Sequence, residues 1–184
     1  VNVLVAYATR HGATRGIAER IGEVLAGAGL DTTVRAVGEV GRVDPYDAVV
    51  IGGAAYTFHW LKEATAFVRA NKAVLATRPV WLFSCGPTGT EPTEQKRQGV
   101  LRASVPREFE DLAAAVHPRG QRVFYGAYDP DAPAIGLAEG IFAKMTARWP
   151  SLKTDIPTGD FRDWPEIEAW ARDIARELTP VPVA

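Results

Sequence analysis

The chain predicts a three-layer α/β/α fold: a five-stranded parallel sheet of order 2-1-3-4-5, with helices on both faces. Three observations predict it. Short apolar runs alternate with amphipathic stretches almost from end to end, the pattern that crossover helices over a parallel sheet produce. A turn rich in hydroxyls, Thr9-Arg10-His11-Gly12-Ala13-Thr14, stands directly between the first apolar run and the first helical stretch, where a phosphate-binding turn belongs. The length of 184 residues suits one complete α/β domain, taken here as residues 1–184, and is short for two.

Strand one is Val3 to Tyr7, opened by the apolar run Val3, Leu4, Val5, Ala6. Its helix carries Ile17, Ile21, Val24 and Leu25 on one stripe and is closed by Gly27 and Gly29. Strand two, Thr32 to Val37, is interrupted by Arg35 and two threonines, which suits a sheet edge. Strand three, Ala48 to Ile51, is the most apolar and belongs at the centre, with Gly52-Gly53 expected to end it. A helix from Lys62 to Ala76 turns Ala64, Phe67, Val68 and Leu75 inward and stops at Arg78-Pro79. Strand four is Val80 to Ser84. Residues 86–104 lack periodicity and contain several Gly and Pro, which predicts a long connection. Phe109, Leu112, Ala113 and Val116 mark the next helix, and strand five runs from Arg122 to Tyr125. Ile135, Ala138, Ile141, Phe142 and Met145 predict a helical excursion after it. Asp163, Pro165 and Glu166 open a last helix whose stripe is Ile167, Trp170, Ala171, Ile174 and Leu178.

Composition excludes several classes of function. A formal net charge of −1 argues against nucleic acid as a partner. No apolar stretch approaches the ~20 residues of a membrane span. The chain opens in a strand without an export signal, and its single cysteine, Cys85, fits a reducing compartment, so a cytoplasmic location is expected. Contact with the inner face of a membrane would have to rest on Lys144 and Arg148 in the 135–149 segment, a thin set of anchors. His11, His59 and His117 stand far apart, so no metal is expected, and the lack of a Gly-x-Ser-x-Gly elbow disfavours a hydrolase.

In this arrangement ligands bind beyond the carboxyl ends of the strands, at the switch between strands one and three. The first turn supplies hydroxyls at Thr9 and Thr14, a permissive Gly12 and the free N–H groups of a helix start, a set suited to a phosphate monoester. Gly-x-Gly-x-x-Gly and the P-loop ending are both missing from it. A bare turn capped by Thr9, with no ligand, is the competing reading. After strand three, Ala54-Ala55-Tyr56-Thr57-Phe58-His59-Trp60 puts three aromatics and a histidine in a loop, as stacking on a flat heteroaromatic ligand would need. Packing of Phe58 and Trp60 against the next helix is the alternative. After strand four, Ser84-Cys85-Gly86-Pro87-Thr88-Gly89 lets backbone groups approach a ligand, with Cys85 expected to be buried rather than reactive. After strand five, Gly126-Ala127-Tyr128-Asp129 offers a further aromatic.

The stretch Tyr7-Ala8-Thr9-Arg10-His11-Gly12-Ala13-Thr14 resembles the FMN phosphate signature of the flavodoxin superfamily. Arg10, the Ile51-Gly52 stretch leading to His59, the strand end Phe124-Tyr125-Gly126-Ala127 and the closing Asp163-Trp164 are similar to its menaquinone-dependent protoporphyrinogen oxidase branch. The resemblance implies a flavodoxin-like fold with FMN as cofactor. Thr9, Arg10, His11, Gly12, Ala13 and Thr14 would hold its phosphate; Ala54, Ala55, Tyr56, Thr57 and Phe58 would flank one side of its ring, and Ser84, Cys85, Gly86, Pro87, Thr88 and Gly89 the other. Tyr56, His59 and Tyr128 are then the candidate catalytic residues, as a ring platform and proton donors near the reacting edge. Flavodoxin carriers resemble one another in an acidic surface and a Gly after strand three whose peptide turns over to bond the one-electron-reduced flavin. This chain is nearly neutral and has no Gly in that loop after Gly53, and Thr57, Phe58 and Trp60 are expected to resist a positive φ. An FMN oxidoreductase working in two-electron steps is therefore favoured over a one-electron carrier, with an NAD(P)H:quinone reductase-like role also open. The expected partner is a small molecule, a quinone or porphyrinogen, or another redox protein.

Overall fold

A computed structural model describes residues 1–129 and 157–179. Five parallel strands form the main sheet: β1 (Asn2–Ala8), β2 (Asp31–Ala36), β3 (Ala48–Tyr56), β5 (Val80–Cys85) and β6 (Gly120–Phe124), in the order β2-β1-β3-β5-β6. A two-residue strand, β4 (His59–Trp60), folds back antiparallel on the end of β3. Strand for strand this is the expected 2-1-3-4-5 order, with β2 on the edge its composition suited.

The sheet divides its side chains by parity. Val3, Val5, Val50, Trp81 and Phe83 point to one face, where Ile17, Ile21 and Leu25 of α1 (Ala13–Gly27) and Ile167, Trp170 and Ile174 of α6 (Trp164–Leu178) cover them. Leu4, Ala6, Val49, Ile51 and Leu82 point to the other, under α2 (Lys62–Ala70), α3 (Lys72–Leu75) and α5 (Glu108–Val116). Helix α1 ends in a Schellman motif: Leu30 N–H donates to Leu25 O at 3.2 Å, Gly29 N–H to Ala26 O at 2.9 Å, and Gly29 takes φ +86°. Helix α6 starts where expected, Asp163 accepting from Glu166 N–H at 3.0 Å with Pro165 in the first turn.

Several boundaries differ from expectation. Gly52-Gly53 does not end the third strand, which continues to Tyr56. These glycines seat rings instead: a Cβ on Gly52 would lie 1.9 Å from Phe83 Cζ, and one on Gly53 2.4 Å from Trp60 Nε1. The helix expected over Lys62–Ala76 breaks at Asn71, whose Nδ2 donates to Phe67 O at 2.9 Å and competes with the helical ladder. The connection expected over 86–104 contains a helix, α4 (Glu94–Ala103), started by Thr93 accepting from Lys96 N–H at 3.3 Å. Beyond β6, β7 (Ala127–Tyr128) pairs with β8 (Gly159–Asp160) in a separate ladder. The helix expected around Ile135 to Met145, with Lys144 and Arg148, lies outside the described residues. No helix among the described residues is long and apolar enough to cross a membrane.

Candidate cofactor site

β1, β3 and β5 end side by side, and the turn from β1 into α1 stands over the switch between β1 and β3. Gly12, at φ +87° and ψ −14°, is the last residue before α1 and has no side-chain cap. Thr9 is thus not the N-cap of this helix. Its Oγ1 spans the turn and accepts from Gly12 N–H at 3.1 Å, which leaves the hydroxyl hydrogen for an external acceptor. Thr14 is fully buried in the first turn of α1, and its Oγ1 has no hydrogen-bond partner. No acidic residue lies in that turn, so the positive end of the helix dipole is uncompensated there.

After β3 the chain makes a tight hairpin. Ala54, Ala55 and Tyr56 complete the strand rather than a loop, Ala55 faces Trp60 and Tyr56 faces His59 across the ladder, and Thr57-Phe58 make the two-residue turn. Thr57 sits at φ +50° and Phe58 at φ +65°, so the expectation that these residues resist a positive φ is overturned. Three anchors hold the turn in the left-handed region. Trp60 Nε1 donates to Gly53 O at 3.0 Å and its ring meets the Phe109 ring edge-on at 5.2 Å; Arg107 N–H donates to Phe58 O at 3.0 Å; and Glu108 accepts from Trp60 N–H at 3.0 Å while facing His59 Nδ1 at 2.8 Å. Burial works to raise the Glu108 carboxyl, but the bonds from Trp60 and His59 prevail and hold it below its ordinary range. Trp60 is thereby a core residue, while Tyr56 and Phe58 stay exposed, at 42% and 50%, with Arg10 stacked 5.7 Å from the centre of the Tyr56 ring.

The β5 loop is tied to its neighbour: Gly86 N–H donates to Phe124 O at 3.3 Å, and Gly126 N–H to Pro87 O at 2.8 Å. Thr88 and Gly89 are half-buried in this loop, and Gly89 takes φ +113°. Ser84 is fully buried with its Oγ unpartnered. Cys85 is buried as expected; burial pushes its thiol up to about 11, and the Arg162 charge lowers it only in part. It is a neutral thiol near neutral pH. Tyr128 is half-buried and paired with Gly159 in the small ladder, so it is placed through β7 and β8 rather than by a free loop. Ala13 lies against the segment after β8, where Arg162 Nη1 donates to Ala13 O at 3.3 Å.

That arginine was missed in the sequence, as were Asp160, Glu108 and Arg97. Arg162 is forked onto Asp160, at 2.8 Å and 2.6 Å, and lies 4.4 Å from the Trp164 ring centre. The alternation Asp160-x-Arg162-x-Trp164 was the available signal, with its period of two. Arg97 of α4 binds both Asp163 and Glu166 and lies over Tyr125, which fastens α4 to the start of α6.

The fold and the first turn define an α/β protein with a donor-rich turn at its switch point, suited to a phosphate monoester. The chain belongs to the flavodoxin family, since the family model described as a flavodoxin domain matches residues 4–132. Among solved structures it is similar to a flavodoxin from Pseudomonas aeruginosa, at 11% identity over 97% of this chain and 99% of that one, with a TM-score of 0.59. Likewise a flavodoxin from the domain Archaea matches at 15% identity over 96% and 98%, TM-score 0.56, and Flavodoxin 2 from Bacillus cereus at 15% over 97% and 100%, TM-score 0.56. No curated protein sequence matches significantly. FMN is the cofactor of this family, and the residues fit it: the buried, unpartnered Thr14 hydroxyl, the spare hydrogen on Thr9 and the open helix start supply donors for a phosphate monoester.

Proposed function

We propose that this chain is an FMN-dependent oxidoreductase acting on a flat small molecule, a quinone or a porphyrinogen, in the manner of the protoporphyrinogen oxidase branch. The observation that carries this reading is the hairpin, which presents the Tyr56 and Phe58 rings outward beside the switch point of a nearly neutral molecule. Bound FMN supplies the redox chemistry, and the chain supplies grip, orientation and a proton. Thr9, Arg10, His11, Gly12, Ala13 and Thr14 hold the phosphate. The β3 end with the Thr57-Phe58 turn, and the loop Ser84 to Gly89, border the ring. Because the ionised Glu108 only accepts, the His59 proton sits on Nδ1, which leaves Nε2 of this half-exposed imidazole to take or return a proton. Tyr56 and Tyr128 complete the substrate side.

One observation favours a second reading, the electron carrier. A turn already in the left-handed region at Thr57-Phe58 removes the backbone argument against one-electron use and leaves only the near-neutral charge. Assays of FMN-loaded protein with NADH, NADPH, menadione and protoporphyrinogen, beside a reductive titration, separate the two. The oxidoreductase reading expects turnover with at least one substrate and reduction in a single two-electron step. Turnover at background, with two separated one-electron steps, would establish the carrier instead.

A further inference from the structure

Arg162 occupies a place prepared for it against the first turn of α1. A Cβ on Gly16 would lie 2.5 Å from its Nη1, so the helix surface is cut away where the guanidinium passes. Its flat face lies 4.4 Å from the Trp164 ring centre, its fork engages Asp160, and Nη1 donates to Ala13 O at 3.3 Å. Only 18% of the side chain is exposed. The positive end of α1 lies there with no acidic residue in its first turn, so the helix end by itself repels the guanidinium. The fork onto Asp160 outweighs that repulsion and the cost of burial, and holds the guanidinium above its ordinary range. With a dianion seated on the turn, the cation and the helix end act together on it.

We infer that Arg162 is a positioning residue for the cofactor phosphate, which holds Ala13 in register and adds positive charge that favours FMN over its unphosphorylated form. The inference rests on the FMN reading of the first turn. Asp160 acts as the counterweight that moderates that charge. A role as a plain fastener between the C-terminal segment and α1 would make both residues of the pair necessary in the same sense; the charge role gives them opposite signs.

The test is the ratio of riboflavin to FMN dissociation constants, followed by flavin fluorescence on the refolded apoprotein. Arg162→Gln should lower the ratio about tenfold, Arg162→Lys should restore part of it, and Asp160→Asn should raise it. The effect of Arg162→Gln should shrink as salt rises. A ratio unmoved by Arg162→Gln, or lowered equally by Asp160→Asn, overturns the assignment. If the unmodified protein binds both ligands alike, the phosphate turn itself is misassigned, which is a different failure. Riboflavin affinity serves as the folding control for every variant.

Discussion

In the proposed site, Thr14 would link fold and cofactor through a single atom. Its hydroxyl is wholly buried between α1 and the end of β5, close to a Cys85 thiol whose own environment is apolar enough to push it up to about 11. A buried hydroxyl without a partner costs roughly 1–3 kcal/mol, a burden that an apoprotein gains nothing from. Thr14→Val removes that burden and the phosphate donor together. The apoprotein should become more stable by about 1 kcal/mol in urea unfolding, while FMN affinity falls about tenfold or more, since hydrogen bonds to charged acceptors are worth roughly 1.5–3 kcal/mol. Loss of stability and affinity in parallel would show that the hydroxyl is structural and would remove Thr14 from the phosphate site. Cys85 needs no such test, because a neutral, enclosed thiol offers no nucleophile.

The β3-β4 hairpin is where local preference and tertiary demand conflict. Thr57 and Phe58 are poor residues for a turn with two positive φ angles, a geometry that Asn-Gly adopts without strain. Trp60, Arg107 and Glu108 impose it from outside the turn. Thr57→Asn with Phe58→Gly should therefore stabilise the protein by about 1–2 kcal/mol in thermal unfolding, while any substrate affinity that depends on the exposed ring declines. A double variant less stable than the parent would mean that the turn is not strained. The same conflict explains what the sequence concealed. Strands and their order were legible because apolar runs such as Val3 to Ala6 and Val80 to Phe83 admit few other states, and the position of the turn between β1 and α1 was legible because its residues are contiguous. The hairpin was not, since its anchors Glu108 and Gly53 lie outside it. Helix α4 was not, since Leu101 is its one buried residue and leaves no stripe to read. Arg162 meets Ala13 across 149 residues, which no local pattern announces.

At the scale of the molecule, the proposed site would join what the sheet keeps apart. Among the described residues the two larger apolar cores lie on opposite faces of the sheet, one under α1 and α6 and one under α2, α3 and α5. The turn between β1 and α1 leads into the first layer, while the hairpin is anchored by Trp60 and Glu108 to the second. A ligand that touches both couples their unfolding, and its binding energy stabilises the whole unit rather than one layer. With FMN a hundredfold above its dissociation constant, stability should rise by about 2.7 kcal/mol. For a chain of this size that corresponds to an upward shift in Tm of roughly 5–10 °C. Riboflavin at the same concentration should shift it less, because the turn has then lost its anion. Calorimetry at graded FMN concentrations reads both quantities, and a single transition that moves as one confirms the coupling. A melt that separates into two, with only one part responding to FMN, would confine the ligand to one layer and break the link between hairpin and cofactor. A Tm indifferent to FMN at every concentration would remove the cofactor from this chain and the redox reading with it.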